Sequence, residues 1–109
     1  QKDLLEYCNS KNIIIEAYSP LVHAKRMDEE RLVAISEEIG KTPAQILIRW
    51  AMQRGMVVLP KSVNESRIIE NFAVFDFEIS DSLMKRLDDL DERYVTCWDP
   101  HNPPDYAPV

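Results

Sequence analysis

Apolar positions along the chain fall into blocks of two kinds, some spaced for helices and others continuous. Lys2 to Lys11 places Leu4, Leu5 and Cys8 on one face among charges, which predicts a helix stopping near Asn12, a residue that tolerates a left-handed backbone. Ile13-Ile14-Ile15-Glu16-Ala17-Tyr18 then runs apolar and β-branched with almost no alternation, the pattern of a strand covered on both faces. Ser19-Pro20 ends it, since proline has no N–H to give a ladder. A polar connection, Leu21 to Met27, leads into a helix over 28–39 with Leu32, Val33, Ile35 and Ile39 as its apolar positions. Thr42-Pro43-Ala44-Gln45 opens the next helix as a capping box with proline in the first turn, and Ile46, Leu47, Trp50 and Ala51 follow as its apolar face. The only two glycines, Gly40 and Gly55, come after these helices, where left-handed caps are expected. Met56 to Pro60 is a second continuous strand, followed by a short helix from Asn64 to Asn71. Phe75, Phe77 and Ile79 alternate with Asp76 and Glu78, as a strand or an extended surface segment does. Ser80 caps a last helix whose stripe is Leu83, Met84, Leu87 and Leu90. From Thr96 onward lie four of the seven prolines, so the tail is expected to be extended.

The order strand–helix–helix–strand–helix, with both strands fully apolar, predicts a parallel pair with helices outside. Two strands are too few to bury those helices. The chain is therefore expected to be part of a larger α/β protein, with 1–95 as barrel segment and 96–109 as tail. Length and charge narrow the function. The 109 residues carry 13 basic and 19 acidic side chains, a net charge of −6. This disfavours nucleic acid and anionic membranes as partners, because both select basic faces. Cys8 and Cys97 fit no metal or redox spacing and are expected to be free thiols in a reducing, cytoplasmic setting.

The junction Leu59-Pro60-Lys61-Ser62-Val63-Asn64-Glu65-Ser66-Arg67 carries the clearest chemistry. A strand ends and a helix starts within a few residues, and a helix N-terminus offers free amides and a partial positive charge to an anion. Lys61 and Arg67 add charge and Ser62 a hydroxyl. One turn on, Glu70 and Asn71 supply an acceptor and an amide suited to the edge of an adenine ring. The plainer possibility is that Ser62 and Asn64 are helix caps and the two cations are solvated. At the end of the first strand, Tyr18 and Ser19 are placed to line a ligand, by ring stacking and hydroxyl bonding, although a tyrosine closing a strand is commonly core. Glu16 should share the face of Tyr18 and is expected to be a satisfied structural group.

Tyr18-Ser19-Pro20-Leu21, Thr42-Pro43-Ala44-Gln45 with Trp50, Pro60-Lys61-Ser62-Val63, Arg67-Ile68 with Glu70-Asn71-Phe72, and Val74 to Glu78 occur in the order and spacing of an aldo/keto reductase. On these motifs the chain resembles the C-terminal part of that family over essentially residues 1–95. The resemblance implies the last two parallel strands, with flanking helices, of a (β/α)8 TIM barrel, incomplete as given. It further implies that Tyr18 stacks on the nicotinamide of NADPH while Ser19, Pro20 and Leu21 follow the pyrophosphate. Lys61, Ser62, Val63, Asn64 and Arg67 would hold the 2′-phosphate, and Glu70 and Asn71 the adenine. Where many members place glycine and then serine after the leucine, this chain has Val22 and His23, and the connection to the next helix is short. Trp98 and His101 would border the substrate pocket or pack on the surface.

The tyrosine, aspartate, lysine and histidine that carry the family's chemistry come from earlier strands and are not in this chain. The resemblance thus implies no catalytic residue and no metal here. It implies the cofactor-binding portion of an NADPH-dependent oxidoreductase that reduces a small carbonyl substrate, an aldehyde or ketone, to an alcohol and is monomeric at full length. Two other possibilities remain at this point: a non-catalytic cofactor-binding protein of the same fold, and an α/β phosphate-binding domain without redox chemistry.

Overall fold

The structure, a computed structural model, describes residues 1–94. Cys97, Trp98, His101 and the proline-rich tail, for which the sequence raised expectations, lie outside the described residues. Helix α1 spans Lys2–Ser10, strand β1 Glu16–Tyr18, α2 Glu30–Ile39, α3 Pro43–Gln53, β2 Val57–Leu59, α4 Glu65–Phe72 and α5 Asp81–Asp88. The strands pair in parallel with Glu16 opposite Val57, Ala17 opposite Val58 and Tyr18 opposite Leu59.

Helix ends follow the sequence signals. Asn12 takes the left-handed conformation after α1, at φ 56°. Gly40 caps α2 in the same region at φ 73°, where a Cβ would strain the backbone. At the start of α3, Gln45 N donates to Thr42 Oγ1 at 3.3 Å and Thr42 N to Gln45 Oε1 at 3.0 Å, closing the capping box.

The core lies in the helical layer. Leu32 and Ile35 of α2, Ile46 of α3, Ile79, and Met84 and Leu87 of α5 pack together, each 6% exposed or less. At about 1.5–3 kcal/mol per buried aliphatic side chain, this cluster is the main cohesive element of the described chain. Trp50 joins α3 to α5 by donating from Nε1 to Asp88 Oδ1 at 2.8 Å, and Arg54 pairs with the same carboxylate.

The strands settle differently from the plain pattern in two places. Of the two readings of the alternating stretch 75–79 the extended segment holds: it forms no ladder, and side chains of α3 bond Ile79 at its end and Ala73 and Val74 just before it. Gln53 bonds both polar groups of Ile79 (Oε1 from its N at 2.8 Å, Nε2 to its O at 2.9 Å). Arg49 donates to Val74 O at 3.2 Å and Gln45 to Ala73 O at 3.1 Å. Residues 45, 49 and 53 are four apart, so they form one stripe along the helix. The extended segment is thus sewn to α3 by side chains.

The apolar run 13–18 gives only three residues of β1, and it is not covered on both faces. Ala17 and Val58 are half-buried, whereas Glu16, Tyr18, Val57 and Leu59 are exposed on the other face. Ile13 and Ile14 are exposed too, at 49% and 75%. With no third strand among the described residues, nothing covers that face.

Candidate cofactor site

Parallel pairing decides what the two sequence motifs share. Because Tyr18 stands opposite Leu59, the chain leaves both strands at the same edge of the sheet. Ser19-Pro20-Leu21 and Pro60-Lys61-Ser62 therefore emerge side by side, at the carboxyl end of parallel strands where α/β proteins bind ligands. The Tyr18 ring is 58% exposed on the uncovered face. Glu16 shares that face, exposed and with no partner among the described residues, so it is not the satisfied internal group expected of it.

Beyond β2, Asn64 caps α4: Oδ1 accepts from Arg67 N at 3.3 Å and from Ser66 Oγ at 2.6 Å. Ser62 Oγ lies 3.2 Å from Asn64 N, which donates to it. Asn64 is therefore a helix cap as the plainer possibility has it, whereas Ser62 closes the turn before the helix. The amides of Glu65 and Ser66 at the helix start have no acceptor among the described residues. Lys61 and Arg67 are exposed and have no carboxylate within ion-pair distance among the described residues, and Val63 is 86% exposed beside them. By contrast, Arg26, Arg31, Lys41, Arg54 and Arg86 all hold carboxylates.

Farther along α4 the two recognition candidates diverge. The Glu70 carboxylate is engaged: Thr42 Oγ1 donates to Oε1 at 2.5 Å. Asn71 is 9% exposed, and its side-chain amide makes no hydrogen bond among the described residues. It lines an open cleft of about 420 Å³ with Pro60, Ser62, Ile68, Ile69 and Phe72. No side-chain polar atom is sealed off without a partner among the described residues, so the Asn71 amide keeps its access to that cleft. An amide open to that cleft can both donate and accept, as the edge of an adenine ring requires.

The β2–α4 junction thus carries several donors close together in sequence: the exposed Lys61 and Arg67, the first amides of α4 and, lining the cleft, the Asn71 amide. Sequence reasoning did not find Thr42 as the partner of Glu70. The two lie 28 positions apart with no shared motif to link them.

The loop after β1 is the strained part of the site. Val22, His23 and Ala24 form a short helical turn with φ of 44°, 53° and 58°, and Ser19 has φ 48°. For non-glycine residues, each costs about 1–2 kcal/mol. His23 is exposed, with Nε2 at 3.0 Å from Ser19 Oγ. Val22 occupies the place where the resemblance has glycine, and its backbone takes the shape a glycine would adopt freely.

The family model for the "Aldo/keto reductase family" matches residues 23–92. The chain belongs to the aldo/keto reductase family. It is 48% identical over 100 residues to an uncharacterised oxidoreductase of Schizosaccharomyces pombe, covering 92% of this chain and 36% of that protein. It is 46% identical over 95 residues to a glyoxal reductase of Bacillus subtilis, covering 85% and 34%. Among solved structures, Gox0644 in its apo form superposes with TM-score 0.82 at 38% identity over 85% of this chain and 34% of that one. A mutant of Gox0644 in complex with NADPH gives 0.81 over the same shares. The chain thus spans about a third of the length of the relatives it matches. These aldo/keto reductase neighbours imply a TIM-barrel fold, of which the parallel pair and its helices are an α/β portion. No helix among the described residues is long and apolar enough to cross a membrane.

Proposed function

We propose that this aldo/keto reductase chain is the C-terminal, cofactor-binding portion of an NADPH-dependent oxidoreductase that reduces aldehydes or ketones to alcohols. The observation that carries the reading is the β2–α4 junction, where, among the described residues, the exposed Lys61 and Arg67 have no ion-pair partner and the amides of Glu65 and Ser66 no acceptor. Two cations answer the extra charge of a 2′-phosphate, and the Asn71 amide, lining a cleft with Pro60 and Ser62, answers an adenine. Ser62, Val63 and Asn64 shape the turn that presents those amides, and Glu70, fixed by Thr42, borders the adenine side. Across the shared edge, Ser19, Pro20 and Leu21 follow the pyrophosphate, and the exposed Tyr18 ring offers a stacking face to the nicotinamide. The names of relatives support the reading, since one is a glyoxal reductase and one similar structure is a complex with NADPH.

A reduced nicotinamide supplies hydride to a carbonyl carbon. This chain's residues bind and orient, and the proton donor lies outside them, in keeping with the division of labour between cofactor and protein. The deciding experiment is Arg67→Ala in the complete protein. A charge-assisted hydrogen bond is worth about 1.5–3 kcal/mol, so NADPH should bind about ten- to a hundredfold more weakly, with NADH little changed. Equal weakening of both dinucleotides in a fluorescence titration would count against the phosphate assignment.

A further inference from the structure

The stretch from Ser19 to Ala24 holds four non-glycine residues with φ between 44° and 58°, among them the β-branched Val22. Such a stretch persists only where its surroundings over-determine it. Within the loop, Val22 N donates to Ser19 O at 3.0 Å and Ala24 N to Leu21 O at 2.7 Å, which closes the turn. Arg26 joins this segment to a distant part of the chain. Its Nη1 donates to Glu92 Oε2 at 2.5 Å, and its guanidinium carbon lies 4.1 Å from the centre of the Tyr94 ring. The other oxygen of Glu92 accepts from Arg31 Nη2 at 3.0 Å, and Arg31 Nε donates to Glu29 Oε1 at 2.6 Å. Glu29 closes the series by capping α2, accepting from Leu32 N at 2.9 Å. Four charged side chains thus tie the loop after β1 to the first turn of α2 and to the segment that leaves α5.

We propose that Arg26, held between the Glu92 carboxylate and the Tyr94 ring, is a positioning residue that fixes the loop after β1 in the shape in which Ser19, Pro20 and Leu21 meet a bound dinucleotide. The proposal rests on the cofactor reading above. It differs from the role of Arg67 in a measurable way. A residue that shapes the pyrophosphate loop affects NADPH and NADH alike, because the two share the pyrophosphate. A residue on the 2′-phosphate separates them.

In the complete protein, Arg26→Gln, Glu92→Gln and the double variant are titrated with NADPH and NADH by fluorescence, alongside thermal melts. Each single change is expected to raise both Kd values about two- to fivefold, leaving their ratio unchanged. The double variant should lose less than the sum of the two single losses, because the Arg26–Glu92 pair they share is removed only once. Arg26→Lys, which keeps the charge, should recover most of the loss with a melting temperature like that of Arg26→Gln. Unchanged Kd values in the variants of a wild type that binds NADPH would overturn the positioning role alone, and so would losses that simply add. A wild type that binds neither dinucleotide would overturn the cofactor reading and the positioning role with it.

Discussion

Thr42 serves two structures through one hydroxyl. Its Oγ1 accepts from Gln45 N at 3.3 Å, capping α3, and donates its proton to Glu70 Oε1 at 2.5 Å, fixing a side chain of α4. Gln45 reinforces the join, donating from Nε2 to Glu70 O at 3.2 Å and to Ala73 O at 3.1 Å. Thr42→Ala removes the cap, worth about 1 kcal/mol. It also removes a bond to a carboxylate, worth about 1.5–3 kcal/mol when buried but less here, where Thr42 is exposed. Together these give a loss of about 2 kcal/mol. Thr42→Ser keeps both functions and should stay within about 0.5 kcal/mol of wild type, the usual range for changes that leave the contacts intact. Urea denaturation of the complete protein reads both values, with an unchanged m as the sign that only stability has moved. Freed from Thr42, the Glu70 carboxylate should also lose its fixed aim, weakening the adenine end of NADPH and NADH together. If Thr42→Ala proves as stable as wild type, or Thr42→Ser as weak as Thr42→Ala, the shared-hydroxyl argument fails.

Acid should loosen the ionic joints first. Hydrogen bonds from Arg26 and then Arg31 hold Glu92 below its ordinary 4.5, and Arg31 does the same for Glu29. A folded value below the unfolded one means stability fully present above the ordinary value and lost as pH falls through the folded one. The melting temperature of the complete protein should therefore decline from about pH 4.5 downward, and Glu92→Gln should flatten that decline; an identical slope in the variant would refute the assignment. The 109-residue chain alone should retain helical circular dichroism but show no sharp melt, since Ile14, Val57, Leu59 and Phe72 are 45–75% exposed on its surface. A cooperative transition of the monomer would show that the helical core suffices.

Legibility in the sequence tracked the range of the interaction. The capping box at Thr42 and the left-handed turns at Asn12 and Gly40 rest on residues within a few positions of one another, and each is where the local chemistry puts it; the parallel pairing of the two apolar runs, though long-range, followed from the order of elements. The segment 75–79 was ambiguous because its alternation is real, with Ile79 buried and Phe77 half-buried. What holds it is a stripe about 25 residues earlier, Gln45 and Arg49 bonding Ala73 and Val74 before it and Gln53 bonding Ile79 at its end. The four-residue spacing was visible, but its target was not. The same holds for Glu92, which reads as one member of an acidic run and becomes specific only when Arg26 and Arg31 reach it from 66 and 61 positions away. At the candidate site, the cations and Asn71 were legible as residue types. That Glu70 is already occupied by Thr42 was not.

The distribution of satisfied and unsatisfied groups separates scaffold from site. Around α2, α3 and α5, apolar side chains are buried together, and Arg31, Arg54 and Arg86 each hold a carboxylate. That layer asks nothing further of its surroundings. At the strand ends, among the described residues, Tyr18 is exposed, Lys61 and Arg67 have no carboxylate within ion-pair distance, two amides of α4 have no protein acceptor and the Asn71 amide makes no hydrogen bond. The cations and the helix amides are exposed to water; what singles them out is their place at the carboxyl end of a parallel strand pair, where α/β proteins bind ligands. The composition of that edge, positive charge with amides and an aromatic face, is the complement of a phosphorylated dinucleotide, and this is why the cofactor reading rests on the junction after β2.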